Sequence, residues 1–148
     1  MRSSGRRTPS KYPEKDYNAN ETRRGLWHHA MAGGVAAIWG NLDGTGEYEN
    51  KEALKCFSVF WNDNKRFKRD MVPNPALTDG YCLVSENNQS VFYKENTDII
   101  HYEFSGKPKK VIAVDTRKKY AEIELGQKSA GKHFFRAPCI SDWALAVE

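Results

Sequence analysis

GLWHHAMAGGVAAIWGN, Gly25 to Asn41, decides how this chain is read. It reads as a helix, a glycine stop and a buried strand, joined almost without a loop. Asn20 stands where a cap is expected, and Glu21 puts a carboxylate in the first turn, where the helix dipole favours negative charge. Leu26, Trp27, Ala30 and Met31 supply an apolar stripe at near-helical period. Gly33-Gly34 offers the left-handed residue that ends a helix. Val35 to Trp39 is apolar without alternation, as in a strand covered on both faces. A helix feeding such a strand across so short a turn is one step of an α/β fold. Nothing else in the 148 residues repeats that step.

Composition narrows the classes. Hydrophobic residues make up 39% and aromatics 12%, enough for a core and against global disorder. No apolar run approaches the roughly 18 residues that span a bilayer, so no membrane partner is expected. MRSSGRR has no apolar stretch behind it, so no secretory signal is expected and the compartment stays open. The net charge of +4 is local: residues 1–24 hold seven Lys/Arg against three Asp/Glu, and residues 25–148 hold sixteen of each. A nucleic-acid binder carries its basic patch on a folded face, whereas this excess lies in a polar tail, so no nucleic-acid partner is expected. Cys56, Cys82 and Cys139 are far apart and show no metal-ligand spacing, and no metal or cofactor is expected.

Residues 1–20 read as an irregular tail. After the helix and strand, Asn41 to Asn50 is a Gly- and Asp-rich loop, and Lys51 to about Lys68 reads as a second amphipathic helix. Its apolar side carries Leu54, Phe57 and Trp61, broadened by Ala53, Phe60 and Phe67. VPNPAL, Val72 to Leu77, is rich in breakers and marks a boundary between residues 21–77 and 78–148. Beyond it come seven short strand candidates: 81–85, 90–94, 99–104, 110–115, 120–125, 133–137 and 143–147. Turn signals separate them, including Glu86-Asn87-Asn88 and Glu95-Asn96-Thr97. The expectation is an α+β chain ending in a small antiparallel β-sandwich.

With both parts in view, ETRRGLWHHAMAGGVAAIWGN resembles the last αβ step of the (β/α)8 barrel in apiosidase-like and related glycoside hydrolases. There an Arg-Arg helix with a Trp leads through an alanine-glycine stretch into the final strand. The C-terminal part, with VDTRKKYAEIE (Val114 to Glu124) and the ending FFRAPCISDWALAVE, is similar to the sandwich that follows such barrels. That sandwich is often labelled collagen-binding, a label these residues do not themselves support. The resemblance covers roughly residues 21–148 and implies a remnant of the last αβα step of a barrel. Family members carry two catalytic carboxylates on earlier strands, whereas the first acidic residue here is Glu14. The chain therefore reads as the C-terminal piece of a longer enzyme, with no catalytic residue of its own.

Glycoside hydrolysis needs two carboxyls facing one bond, about 5–5.5 Å apart for retention or 6.5–9.5 Å for inversion. The carboxylates nearest the C-terminal end of the expected strand are Asp43, Glu47 and Glu49, all in a loop, where a solvated role is the simpler reading. Trp39 and Asn41 are the better candidates for substrate contact, because an indole can stack on a sugar and an amide can bond its hydroxyls. Asp43 completes the substrate-binding set. The competing reading makes Trp39 core. His28-His29 has adjacent spacing, poor for a metal pair, so one ring packs and the other faces solvent. Arg23-Arg24 reads as surface, and Trp143 as a core anchor rather than a sugar platform.

Two functions compete. The first is a glycoside hydrolase fragment that meets carbohydrate once a complete barrel is supplied, by pairing with a missing half. The second is a non-catalytic sandwich that binds a glycan or protein. On the first, the unpaired edges of Val35–Trp39 favour self-association.

Overall fold

The first helix, α1 (Ala19–Met31), buries Leu26, Trp27, Ala30 and Met31, the stripe expected from its periodicity. Its end is a Schellman turn. The Gly34 N–H donates to His29 O (3.0 Å) and the Gly33 N–H to Ala30 O (2.9 Å), with Gly33 at φ +83°. Asn20 lies inside the first turn instead of capping it, and its Oδ1 accepts from Arg23 Nη2 at 2.7 Å. The computed structural model describes residues 19–34 and 51–148. The expected strand Val35–Trp39, the loop 41–50 and most of the N-terminal tail lie outside the described residues.

The second helix is shorter than its sequence suggests. α2 spans Lys51–Ser58, continues as a π-helical turn over Val59–Asp63 and stops at Asn64. Asn62, Asp63 and Asn64 compete for backbone hydrogen bonds and favour termination, and the Asn64 side chain donates to Val59 O at 2.7 Å. Lys65 then takes φ +51° and turns Arg66 back towards the sheet. Ala53, Cys56, Phe60 and Trp61 are the buried face, with Phe57 and Phe67 packed at its margin.

Six antiparallel strands follow: β1 (Val72–Pro73), β2 (Tyr81–Val84), β3 (Ser90–Phe104), β4 (Lys109–Asp115), β5 (Glu122–Lys128) and β6 (Gly131–Val147). They form one sheet in the order β1-β2-β3-β6-β4-β5. Val72 and Pro73, read as a connection, pair with Val84 and Leu83 and become an edge strand. The α+β class holds.

The strand count needs correction. The expected strands 90–94 and 99–104 are the two halves of β3, and 133–137 and 143–147 are the two halves of β6. Glu95-Asn96-Thr97 is a bulge instead of a turn, with Asn96 at φ +49° and the register shifting on either side of Thr97. On β6 the irregular stretch contains Pro138, which cannot donate to a ladder.

These irregularities fold the strands over. Phe92 and Tyr102 lie on one strand, where a straight course would separate them by about 33 Å. Their rings are 5.4 Å apart, as are those of Phe135 and Trp143. What reads as two sheets is one sheet whose long β3–β6 strand pair doubles back across its own face.

Period-two alternation divides the core accordingly. Leu83, Val91, Tyr93, Ile112, Val114, Ala144 and Ala146 face the helices, with Trp27 stacked on Tyr93 at 5.1 Å. Phe92, Val111, Ala113, Trp143, Leu145 and Val147 face the doubled-back half, meeting Ile100, Tyr102 and Phe135. The result is three layers: helices, the main sheet and the returning half of the β3–β6 pair. At Gly80 a Cβ would come within 2.5 Å of Tyr93 O, so only glycine fits there.

Candidate functional site

The sugar-contact candidates Trp39, Asn41 and Asp43, with Glu47 and Glu49, lie outside the described residues. Trp143 is buried core, its indole N–H donating to Cys139 O at 3.1 Å, in line with its reading as an anchor. Among the described residues no group of three His, Cys, Asp or Glu side chains is arranged to hold a metal ion, and no helix is long and apolar enough to cross a membrane.

Polar chemistry gathers instead where α1 meets the sheet. Arg23, read as a surface residue, is buried. Its Nη2 donates to Asp142 Oδ2 (2.5 Å), and its Nη1 lies 3.2 Å from Thr116 Oγ1 and 3.5 Å from the Tyr93 hydroxyl. The other carboxylate oxygen of Asp142 accepts from the Asn96 N–H at 2.8 Å, and its main-chain oxygen accepts from both the N–H and hydroxyl of Thr116. The reason for the correction is physical: Arg23 shares the inward side of α1 with Trp27, one turn on, so burying the indole buries the guanidinium. Burial was affordable because Asp142 is there to pair with it.

Tyr93 extends this junction outward. Its hydroxyl donates to Glu95 Oε1 at 3.0 Å, and Arg24 grips Glu95 with two bonds of 3.0 and 2.8 Å. His28 Nε2 lies 2.9 Å from Glu95 Oε1, while His29 is exposed. Burial opposes the charge on Glu95, but Arg24, Tyr93 and His28 outweigh it and hold the carboxyl below its ordinary value. Burial also pushes Tyr93 up, reinforced by the Glu95 charge, so it stays a neutral donor.

A second junction lies at the other end of the helical layer. Arg66, turned inward by Lys65, reaches Glu148 through Nε and Nη2 (both 3.1 Å) and Glu122 through Nη2 (2.8 Å). Its Nη1 donates to the Tyr120 hydroxyl (2.8 Å), and the guanidinium lies 4.8 Å from the Phe60 ring centre. Burial works against the Glu122 charge, but Tyr120 and Arg66 hold the carboxyl low. A third, exposed group joins Asp79 to Lys94 (2.7 Å) and His101 (2.9 Å), and these partners lower Asp79 against its partial burial.

Among the described residues, the three carboxyls with a marked displacement are thus displaced downward. A general acid needs the opposite, a carboxyl raised towards neutral pH. The arrangement fastens helices to sheet and stabilises charge already formed. The signal for it was in the sequence as Arg23 and Asp142, but only the fold brings them together.

Comparison with known proteins extends this picture. No protein-family model matches the chain, and no curated protein matches it. Solved structures share its fold, two of them glycoside hydrolases. One is described as a glycoside hydrolase, with 14% identity and a TM-score of 0.66, covering 99% of this chain and 40% of the other. The second is a glycoside hydrolase family 5 structure from Bacteroides vulgatus ATCC 8482, with 13% identity and a TM-score of 0.67, covering 99% and 39%. The likeness is one of fold, and the chain spans about two fifths of the length of these structures.

Proposed function

We propose that this chain is the C-terminal portion of a glycoside hydrolase-like protein, without catalytic activity of its own. The observation that carries the reading is the likeness of nearly the whole chain to a minor part of two glycoside hydrolase structures.

On this reading α1 and α2 are the end of a barrel, and the folded sheet is the accessory domain beyond it. The finer assignment to the apiosidase-like group rests on the Arg-Arg helix and the Asp-Trp ending. Carbohydrate is the substrate class of the assembled protein, with Trp39, Asn41 and Asp43 as contacts, and the remaining barrel is the partner.

The test is to co-express the chain with whatever the adjacent upstream DNA encodes. The reading predicts a stable complex or fusion that hydrolyses glycosides. Upstream DNA that encodes no barrel strands contradicts it.

A further inference from the structure

The returning half of the β3–β6 pair has an inner and an outer face. Ile100, Tyr102 and Phe135 belong to the core. Alternation therefore turns Ile99, His101 and Glu103 of β3 outward, beside Lys132, Phe134 and Arg136 of β6. Phe134 stands at the centre of this outer face, 63% exposed and directly opposite His101, with their ring centres 6.4 Å apart. One exposed ring is ordinary on a protein surface. The charges around this one are sorted by strand.

Beyond the central pair, the acidic residues lie on β3 and the basic ones on β6. Glu103 is opposite Lys132 at one end, and Asp98 lies 3.6 Å from Arg136 at the other. Glu103 and Lys132 form no ion pair among the described residues.

A face sorted in this way is complementary to itself. A two-fold axis parallel to the strands and midway between them lays β3 of one copy over β6 of the other, level by level. Glu103 then meets Lys132 of the second copy, Asp98 meets Arg136, and each Phe134 covers the other copy's His101. An axis perpendicular to the strands would instead set Lys132 against Arg136, like charges that repel.

We propose that the outer face of the returning half binds a second copy of this chain across the parallel two-fold axis. The patch is small beside the roughly 800 Å² per partner of a standard interface, so the dimer is weak and fills only at high protein concentration. The surface does not rest on the glycoside hydrolase reading.

Sedimentation equilibrium of the full chain at up to about 1 mM tests it. The natural sequence should pass from monomer to dimer as concentration rises. E103K and K132E each set like charges across the axis and should weaken the dimer about tenfold. Mixed in equal amounts, the two should regain the original association, because opposite charges then meet at both contacts. Phe134→Ser removes the central contact at an exposed position and should leave a monomer. A chain that is monomeric throughout overturns the proposal and leaves the face to another occupant. So does a dimer that none of the three variants weakens, or a mixture of the two folded charge variants that associates no better than either alone.

Discussion

Arg23 on α1 and Asp142 at the head of the last strand segment form a buried ion pair, 119 residues apart in sequence and 2.5 Å apart in space. The pair joins the two stretches that carry the family resemblance, the Arg-Arg helix and the Asp-Trp ending. Asp142 also accepts from Asn96 in the β3 bulge, so one carboxylate ties the helix to the point where the sheet doubles back.

Removing one partner of a buried pair strands the other charge. Arg23→Met should therefore lower unfolding stability by about 3–5 kcal/mol. Arg23→Lys should not restore it, because an ammonium cannot reproduce the planar fork that reaches Asp142, Asn20 and Thr116 together. Urea unfolding of the single variants and of R23M/D142N checks this. The double variant should be less destabilised than the sum of the singles, and strict additivity would deny the coupling.

Acid should loosen the molecule in a definable window. Asp79, Glu95 and Glu122 are held below ordinary values of 3.8, 4.5 and 4.5 in the folded state. Unfolding raises those affinities for protons, so the stability they contribute is complete above the ordinary carboxyl range and is lost as pH falls through the folded values. Stability should decline from about pH 5 downward. In Glu95→Gln the slope of that decline should be shallower. An identical slope would mean Glu95 is not held low.

The thiols divide by burial. Cys56 and Cys82 are buried and Cys139 is exposed. Burial pushes the two inner thiols up to about 12, with the Asp115 charge adding to the effect at Cys56. An aromatic disulfide reagent at pH 8 should modify Cys139 promptly and the other two only on unfolding. Prompt modification of all three would contradict the packing at both sites.

The helical end of the fold was legible where the signal is local. Leu26, Trp27, Ala30 and Met31 announce their face by spacing, and Gly33 announces the stop. The Arg23–Asp142 pair was not legible, because an arginine beside an apolar stripe looks the same whether a distant carboxylate awaits it or not. The sheet was half legible. Glu95-Asn96-Thr97 has turn composition, and a bulge with a left-handed Asn96 draws on the same residues. Whether such a stretch reverses the chain or bends it is decided by the partner strand, here β6. The same limit applies to Pro138, which breaks a ladder without ending a strand. Of the expected site, Trp39, Asn41 and Asp43 stand outside the described residues, and their roles rest on the sequence.

Turnover of a panel of aryl glycosides by the purified 148-residue chain measures the central claim directly. Release no faster than in buffer is expected. Sustained hydrolysis that disappears in Asp43→Asn or Glu47→Gln would show that the chain holds a catalytic carboxyl of its own, and would contradict it.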